Sequence, residues 1–179
     1  GPVRFMKHRF ERPVLPSSAG VLSDAKQRLF RGEKIVVAGM TRRLEAAHDH
    51  GGLALGVQVY AVVPHEVAPL YLLALLNSKL LSHWFRARFA AKRLGGGYLA
   101  INKKQLECLP IRRIRPAVEK DRELYRKLLT RAAALQSLRG RGQERAERMD
   151  RGELDRAEQA VDRLVYALYA LKDAEINRV

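Results

Sequence analysis

Basic residues in the N-terminal part of the sequence cluster in three groups, two of them beside glycines or a tight turn. Arginine and lysine bind phosphate oxygens, and glycine lets a phosphate approach backbone N–H groups closely. The pattern therefore predicts contacts to the backbone of a polyanion. The candidate residues are Lys34, Arg42 and Arg43, then Lys92 and Arg93 before Gly95, Gly96 and Gly97, and finally Lys103 and Lys104.

Three further side chains near these groups could contribute to a site. Tyr98 follows the glycines and could stack on a base, although a buried strand tyrosine is an equal alternative. His48 and His50 flank Asp49, and strand alternation would place both imidazoles on one face. The pair could ligate a metal or contact nucleic acid, but beside the glycine pair 51–52 an exposed polar turn is favoured. We therefore predict no metal site and keep both histidines as candidate nucleic-acid contacts.

The net charge of +15 is unevenly distributed along the 179 residues. Residues 1–115 carry 20 basic and 7 acidic side chains, whereas residues 116–179 carry 14 and 12. A localised excess is what a polyanion-binding surface produces.

The hydrophobic fraction of 47% argues against disorder, and the single cysteine excludes an internal disulfide framework. No apolar run approaches the roughly 20 residues of a membrane span, so we expect a soluble intracellular chain.

Sequence motifs for catalysis are absent. The sequence has no GxxxxGK[ST] phosphate loop, no GxGxxG after a strand, and no Asn–Pro–Pro–Tyr or Asp–Pro–Pro–Tyr tetrapeptide. Asp24 and Lys26 are the nearest approach to a nuclease pair, but an acid at a helix N-terminus and an exposed lysine explain them more simply. We therefore predict that this chain has no catalytic residues.

The domain organisation is predicted to be α+β. Residues 1–20 form an irregular lead-in, in which Gly1 and Pro2 resemble a tag remnant and indicate an excised fragment. Residues 21–115 form a basic mixed α/β domain. Residues 116–179 form a long antiparallel helical hairpin, a coiled-coil-like spacer.

Local patterns place the elements of the basic domain. Ser23 is expected to cap a short helix, and the β-branched runs Ile35–Val37 and Leu53–Val63 predict strands. Residues 69–93 have a helical pattern that breaks at Asn77 and Ser78. After the three glycines, a short strand over 98–101 precedes a helical turn capped by Asn102.

The hairpin is predicted from proline, glycine and leucine positions. Pro116 is expected to open its first helix, and a loop with Gly140 and Gly142 to end it. Spacings of three and four mark an apolar seam on the second helix. The seam comprises Leu154, Ala157, Val161, Leu164, Leu168 and Leu171.

Three arginines precede the hairpin, at 112, 113 and 115. They could contact a DNA backbone or pair with the acidic residues just beyond them, and both alternatives stay open. The acidic residues are Glu119, Asp121 and Glu123.

Four segments together resemble a known family, the TaqI-like C-terminal specificity domain. It is the target recognition domain of adenine-specific DNA methyltransferases and of single-chain restriction–modification enzymes, and it is similar to half of a type I specificity subunit. The most specific blocks are LLNSKL and GGYL…KKQLE.LPI, while LVYALYALKDAEI resembles the helical ending of the single-chain enzymes. The segments are KIVVAGMTRRLEAAHD (34–49), GVQVYAVVP (56–64), YLLALLNSKLLSHWF (71–85) and GGGYLAINKKQLECLPI (95–111).

Two positions depart from the family pattern. Three glycines, 95–97, stand where two are usual, which is expected to alter the loop presented to DNA. Ala170 stands where such endings often carry glycine, which is expected to change packing only.

The resemblance implies a division of labour. This chain would select the DNA sequence, while a methyltransferase domain outside it would bind S-adenosylmethionine and methylate a flipped adenine at N6. The partners implied are duplex DNA and that domain, in the cytoplasm of a bacterium or archaeon, with endonuclease activity of the parent left open. Alternatives are non-specific nucleic-acid binding, or a protein-interaction module that pairs, or forms oligomers, through the hairpin seam.

Overall fold

The computed structural model describes residues 22–90, 95–145 and 151–179 of the chain. The predicted lead-in over residues 1–20 lies outside the described residues, as do Lys92 and Arg93. The described elements confirm an α+β fold. They are α1 (Asp24–Arg31), β1 (Lys34–Ala38), β2 (Met40–Thr41), β3 (Ala46–Asp49), β4 (Val59–Val62), α2 (Pro69–Leu76), α3 (Lys79–Arg88), β5 (Leu99–Ala100), α4 (Lys103–Glu107), α5 (Glu119–Arg145), α6 (Arg151–Leu168) and α7 (Asp173–Ile176).

The strands form two antiparallel sheets. The larger has the order β3-β1-β4, and the smaller pairs β2 with β5. In the larger sheet Ile35 lies opposite His48 and Val62, and Val37 lies opposite Ala46 and Tyr60. Since directly opposed residues share a face, this alternation gives the sheet an inner face that packs on the helices. The predicted strand over 53–63 is too long, because only Val59–Val62 pair with β1.

Helix α2 lies at the centre of the core. All residues from Tyr71 to Leu76 are buried, so this helix is apolar on every side, as expected for a helix surrounded by protein. Its neighbours are β1 and β3 on one side and α5 on another. The predicted break at Asn77 and Ser78 is confirmed, since Ser78 is the N-cap of α3 and its hydroxyl accepts the N–H of Leu81.

The hairpin helices share this core. Leu128, Ala132 and Leu135 of α5 and Val161 and Val165 of α6 are buried in the same cluster as α2. Five of the six residues of the predicted seam, all except Leu171, are buried in this cluster or packed against it, so the hairpin is more than an appended spacer. No described helix combines the length and apolarity needed to cross a membrane.

Two predicted boundaries of the hairpin are wrong. Helix α5 begins at Glu119, while Pro116 lies in the preceding turn, where Val118 N–H bonds Arg115 O. The same helix continues through Gly140 and Gly142 to Arg145. Glycine lowers helix stability by only about 1 kcal/mol, which the rest of a 27-residue helix can offset.

Candidate nucleic-acid interface

The small β2–β5 sheet joins two distant basic segments. Met40 pairs with Ala100 and Thr41 with Leu99, while Ile101 N–H donates to Gly39 O at 2.9 Å. The pairing places exposed Arg42 next to Tyr98, with the guanidinium carbon 5.3 Å from the ring centroid. A cation over an aromatic face is worth about 0.5–1 kcal/mol at an exposed site. The sheet thus builds an exposed cation–aromatic pair from residues far apart in sequence.

Tyr98 belongs to the surface. Its exposed fraction is 39%, which decides against the alternative of a buried strand tyrosine. Met40, on the neighbouring strand, is exposed by 47%. An accessible ring, an accessible thioether and a guanidinium therefore share one surface, which suits contact with a partner that has both apolar and anionic parts.

The glycine loop presents bare backbone immediately before Tyr98. Gly95, Gly96 and Gly97 form an exposed 3-10 turn. Gly96 and Gly97 have φ angles of 72° and 78°, a left-handed conformation that side-chain-bearing residues rarely adopt. A Cβ at Gly97 would meet no atom within 4 Å, so the space over this backbone is open. The backbone of this loop is therefore open to solvent, and its contact with a phosphate or base stays a prediction.

Arg86 of α3 holds the β2 end in place. Its guanidinium donates through Nε to Arg42 O at 3.2 Å and also through Nη2 to the same oxygen. Helix α3 is fixed in turn by buried Leu81 and Phe85, and Ser82 Oγ accepts Leu44 N–H at 3.2 Å. The sequence does not indicate this positioning role of Arg86, because the contact joins residues 44 positions apart.

Helix α4 adds two exposed lysines beyond the sheet. Its start is fixed by a capping box, in which Asn102 Oδ1 accepts Gln105 N–H at 3.0 Å and Gln105 Oε1 accepts Asn102 N–H at 2.9 Å. Lys103 lies 3.8 Å from Glu107, a highly exposed pair that neutralises little. Within the described ranges no acidic group pairs with Lys104. Both ammonium groups are available to a phosphate.

Two predicted phosphate contacts fit less well. Lys34 is wholly buried on β1, where its ammonium donates to Phe30 O at 2.9 Å and pairs with Asp49, so its prediction as a phosphate contact is wrong. Arg43 has 38% of its side chain exposed and lies 3.9 Å from Glu45. The sequence could not show that Asp49, 15 positions away, would compensate Lys34 inside the protein.

The turn after β3 depends on the Lys34–Asp49 pair. Asp49 accepts N–H groups from Gly51 at 3.1 Å and Leu53 at 3.4 Å. Gly51 has a φ of 118°, and a Cβ there would lie 2.3 Å from Arg31 O. This turn is bonded to the end of α1, since Gly52 N–H donates to Phe30 O at 2.8 Å, and it lies at the opposite end of β1 from Arg42.

His48 and His50 differ in exposure. His48 is buried, with 4% exposed, and its Nε2 lies 2.8 Å from Glu33 Oε1. Burial lowers the pKa of His48, while the hydrogen bond to Glu33 opposes that shift. His50 is 60% exposed, and its Nδ1 lies 3.8 Å from the same Glu33 oxygen. The predicted exposed polar turn is therefore wrong for His48, which is withdrawn as a DNA contact.

The three arginines before the hairpin are paired with acids. Arg112 Nη2 and Arg115 Nε reach Asp121 at 3.0 and 2.9 Å, and Arg113 reaches exposed Glu66 at 3.1 Å. For Arg112 and Arg115 these contacts favour the alternative of pairing with the acidic residues just beyond, whereas Glu66, the partner of Arg113, is not one of those residues. The two guanidinium groups hold the pKa of the buried Asp121 carboxyl well below its usual range.

The remaining candidate, a nuclease pair, gains no support from geometry. Asp24 and Lys26 are exposed on the N-terminal helix α1. Within the residues that the structure describes, the group that could hold a metal is Glu33, His48 and His50, and it does not include Asp24.

The comparisons with known proteins agree with the resemblance of the four segments. A search of curated proteins finds no match to this chain. The family model described as the TaqI-like C-terminal specificity domain matches residues 4–111, which include the sheets, the glycine loop and α4. The match covers more than half of the sequence and ends before the hairpin. Such domains recognise DNA targets in a methyltransferase context and are not themselves catalytic. On these grounds the chain belongs to the family of TaqI-like C-terminal specificity domains.

Proposed function

We propose that this chain recognises a specific sequence in duplex DNA and directs an adenine-N6 methyltransferase of a restriction–modification system to it. The observation that carries the proposal is the Arg42–Tyr98 pair beside the bare glycine loop, 5.3 Å from cation to ring centroid. Cations position a protein on the phosphates, and groups that enter a groove read the bases. Both kinds of group meet at this surface.

Phosphate contacts are assigned to the exposed cations around the pair. Arg42, Lys103 and Lys104 are exposed, and their charges are little compensated by the acids in the described ranges. Each neutralised phosphate releases counterions, so these residues supply affinity that is independent of sequence. Lys92 and Arg93 are assigned to the same role from the sequence.

Base reading is assigned to the glycine loop and Tyr98. The loop exposes backbone donors and acceptors, and the tyrosine offers a ring and a hydroxyl. An exposed loop without side chains can approach the base edges in the major groove, where every base pair presents a distinct pattern. His50 is exposed but lies at the other end of β1, so it is assigned at most a peripheral phosphate contact.

The chemistry is assigned to a methyltransferase domain outside this chain. The resemblance supports S-adenosylmethionine as the cofactor of that domain and adenine N6 as the methylated atom. Endonuclease activity of the same parent stays an open part of the proposal. The helical hairpin shares the core of the DNA-reading part, which supports a role in setting the angle between the two domains.

The protein-interaction alternative loses its main support. Val161 and Leu168 of the predicted seam are buried against the rest of the chain, so they offer no free apolar surface to a partner. Oligomerisation through the hairpin would need another surface.

A salt series with matched lysine variants tests the proposal. Binding of the full chain to a labelled duplex is measured by fluorescence anisotropy between low and physiological salt. Log affinity should fall linearly with log salt, by about 0.9 for each phosphate contacted. Lys104→Ala should lower the slope by about that amount. Lys120→Ala, which removes another exposed charge, on α5, should leave the slope unchanged.

Selection from a randomised duplex pool tests specificity. Recovery of one preferred sequence supports target recognition. An unbiased pool would leave non-specific binding as the better description, and absence of binding at low salt would remove DNA as the partner.

A further inference from the structure

We infer that Glu33, His48 and His50 form a binding site for a divalent transition-metal ion of the zinc type. The inference does not rest on the proposed DNA recognition. It concerns the end of β1 away from Arg42, and a five-residue strand separates the two sites by about 17 Å.

Strand register brings the three residues together. Lys34 lies opposite Asp49 and Ile35 opposite His48, so the same register places Glu33 opposite His50. Residues two apart on a strand share a face, so the carboxylate and both imidazoles lie on one side of the sheet. The fold therefore sets His48 on paired backbone, and Glu33 and His50 directly adjoin the paired ends of β1 and β3.

The donor atoms converge at distances that suit one ion. One ligand atom from each residue lies within 4.8 Å of the other two. Zinc bonds nitrogen and carboxylate oxygen at about 2.0–2.2 Å, so two ligands at a tetrahedral angle are about 3.4 Å apart. The Glu33 Oε1 separations, 2.8 Å to His48 Nε2 and 3.8 Å to His50 Nδ1, lie on either side of that value.

The chemistry of the donors favours a metal over a plain ion pair. Two imidazoles stand with ring centroids 4.2 Å apart, which is unfavourable if both are protonated but suits a shared cation. His48 is buried, so the surrounding protein fixes its ring, with Nε2 directed at the Glu33 carboxylate. Two histidines and a carboxylate are ligands that zinc accepts in three-ligand sites.

Asp49, the acid between the two histidines, is not a candidate ligand because its carboxylate already has other partners. Asp49 pairs with Lys34 and accepts N–H groups of the following turn, which leaves three protein ligands. Glu33 and His50 are 50% and 60% exposed, so solvent or an external ligand can take the fourth position. A bound ion would tie the segment between α1 and β1 to the end of β3.

Titration of the parent chain with zinc is the first test of the site. The full chain, free of any affinity tag and stripped with chelator, is titrated with Zn²⁺ by calorimetry and melted with and without the ion. We expect one ion per chain and a raised Tm, since an ion that binds only the native state stabilises it. Co²⁺ should give the intense visible absorption of tetrahedral coordination.

The variants avoid the buried histidine. Glu33→Gln and His50→Ala change exposed side chains, so both should fold and should bind Zn²⁺ at least tenfold more weakly. His83→Ala removes an exposed histidine of α3 and should bind like the parent. Failure of the parent chain to bind Zn²⁺, or unchanged affinity in both cluster variants, would overturn the inference and leave a hydrogen-bonded Glu–His pair.

Discussion

Asn77 pairs with both backbone groups of Ala46. Its Oδ1 accepts the Ala46 N–H and its Nδ2 donates to the Ala46 carbonyl, each at 3.0 Å. The side chain thus continues the larger sheet beyond β3 and joins it to the end of α2. The LLNSKL block that resembles the specificity family therefore has a structural role at this position.

Replacement of Asn77 should destabilise the protein strongly. Asn77→Ala would leave the buried backbone groups of Ala46 without this partner, and each unsatisfied buried group costs about 1–3 kcal/mol. We expect a loss of roughly 3 kcal/mol in the free energy of unfolding, measured by urea denaturation. Asn177→Ala, at an exposed residue near the C-terminus, should change it by less than about 0.5 kcal/mol.

The aromatic ring of Tyr98 should matter more than its hydroxyl. Tyr98→Phe keeps the ring under the Arg42 guanidinium, whereas Tyr98→Ala removes it. We expect Tyr98→Ala to weaken specific binding by about 1–3 kcal/mol, the usual size of one lost base-edge contact in the major groove. Tyr98→Phe should stay close to the parent in competition binding with specific and random duplexes. Equal loss in both variants would assign the contact to the hydroxyl.

Alanine substitutions at the two ends of the glycine loop should have different effects on DNA affinity and Tm. Gly97 has a φ of 78°, so Gly97→Ala should strain or rearrange the loop at a cost of about 1–2 kcal/mol. Gly95 lacks a left-handed φ, and a Cβ there meets no atom within 4 Å, so Gly95→Ala is the matched control. DNA affinity and Tm should fall for the first variant only. Similar losses for both would show that added bulk, and not backbone conformation, is harmful.

Replacement of Ala170 by glycine should stabilise the folded protein. Its φ is 55°, and Leu171 N–H bonds back to Tyr166 O at 3.0 Å in the turn that ends α6. Ala170 therefore has a backbone conformation that favours glycine. The prediction that this departure from the family pattern changes packing only is wrong. Ala170→Gly should raise the free energy of unfolding by about 1 kcal/mol. Ala134→Gly, inside α5, should lower it by a similar amount, because glycine weakens a helix interior.

Asp121 should make the free energy of unfolding depend on pH in the acidic range. Hydrogen bonds from Arg115 and the charge of Arg112 lower its pKa in the folded protein. A lowered folded pKa contributes stability above the unfolded value, about 3.9, and that contribution fades as pH falls toward the folded value. The excess stability of the parent over Asp121→Asn should therefore be greatest near pH 7 and shrink below about pH 4.

Glu123, an exposed acid on α5, provides the comparison with Asp121. Lys127 lowers the pKa of Glu123 in an exposed pair on α5. Because solvent screens such pairs, Glu123→Gln should show a much smaller pH-dependent difference in chemical denaturation. An equally large difference for Glu123→Gln would remove the special role of Asp121.

The sequence by itself determined the α+β class, the basic character of the first 115 residues and the helix cap at Asn102. These depend on local composition, periodicity and caps, which act within a few residues. The Asn77–Ser78 break was predictable for the same reason, and the match to the family confirms the resemblance drawn from short blocks.

Tertiary structure alone decided which charged groups reach solvent. Lys34 and Arg42 are both basic residues of one predicted cluster, yet Asp49 compensates the first inside the sheet while the second lies exposed against Tyr98. Likewise, strand register brought Glu33 to two histidines that sequence analysis assigned to an exposed turn. Burial and pairing depend on residues that are distant in sequence, so composition could locate the charge but only the fold could orient it.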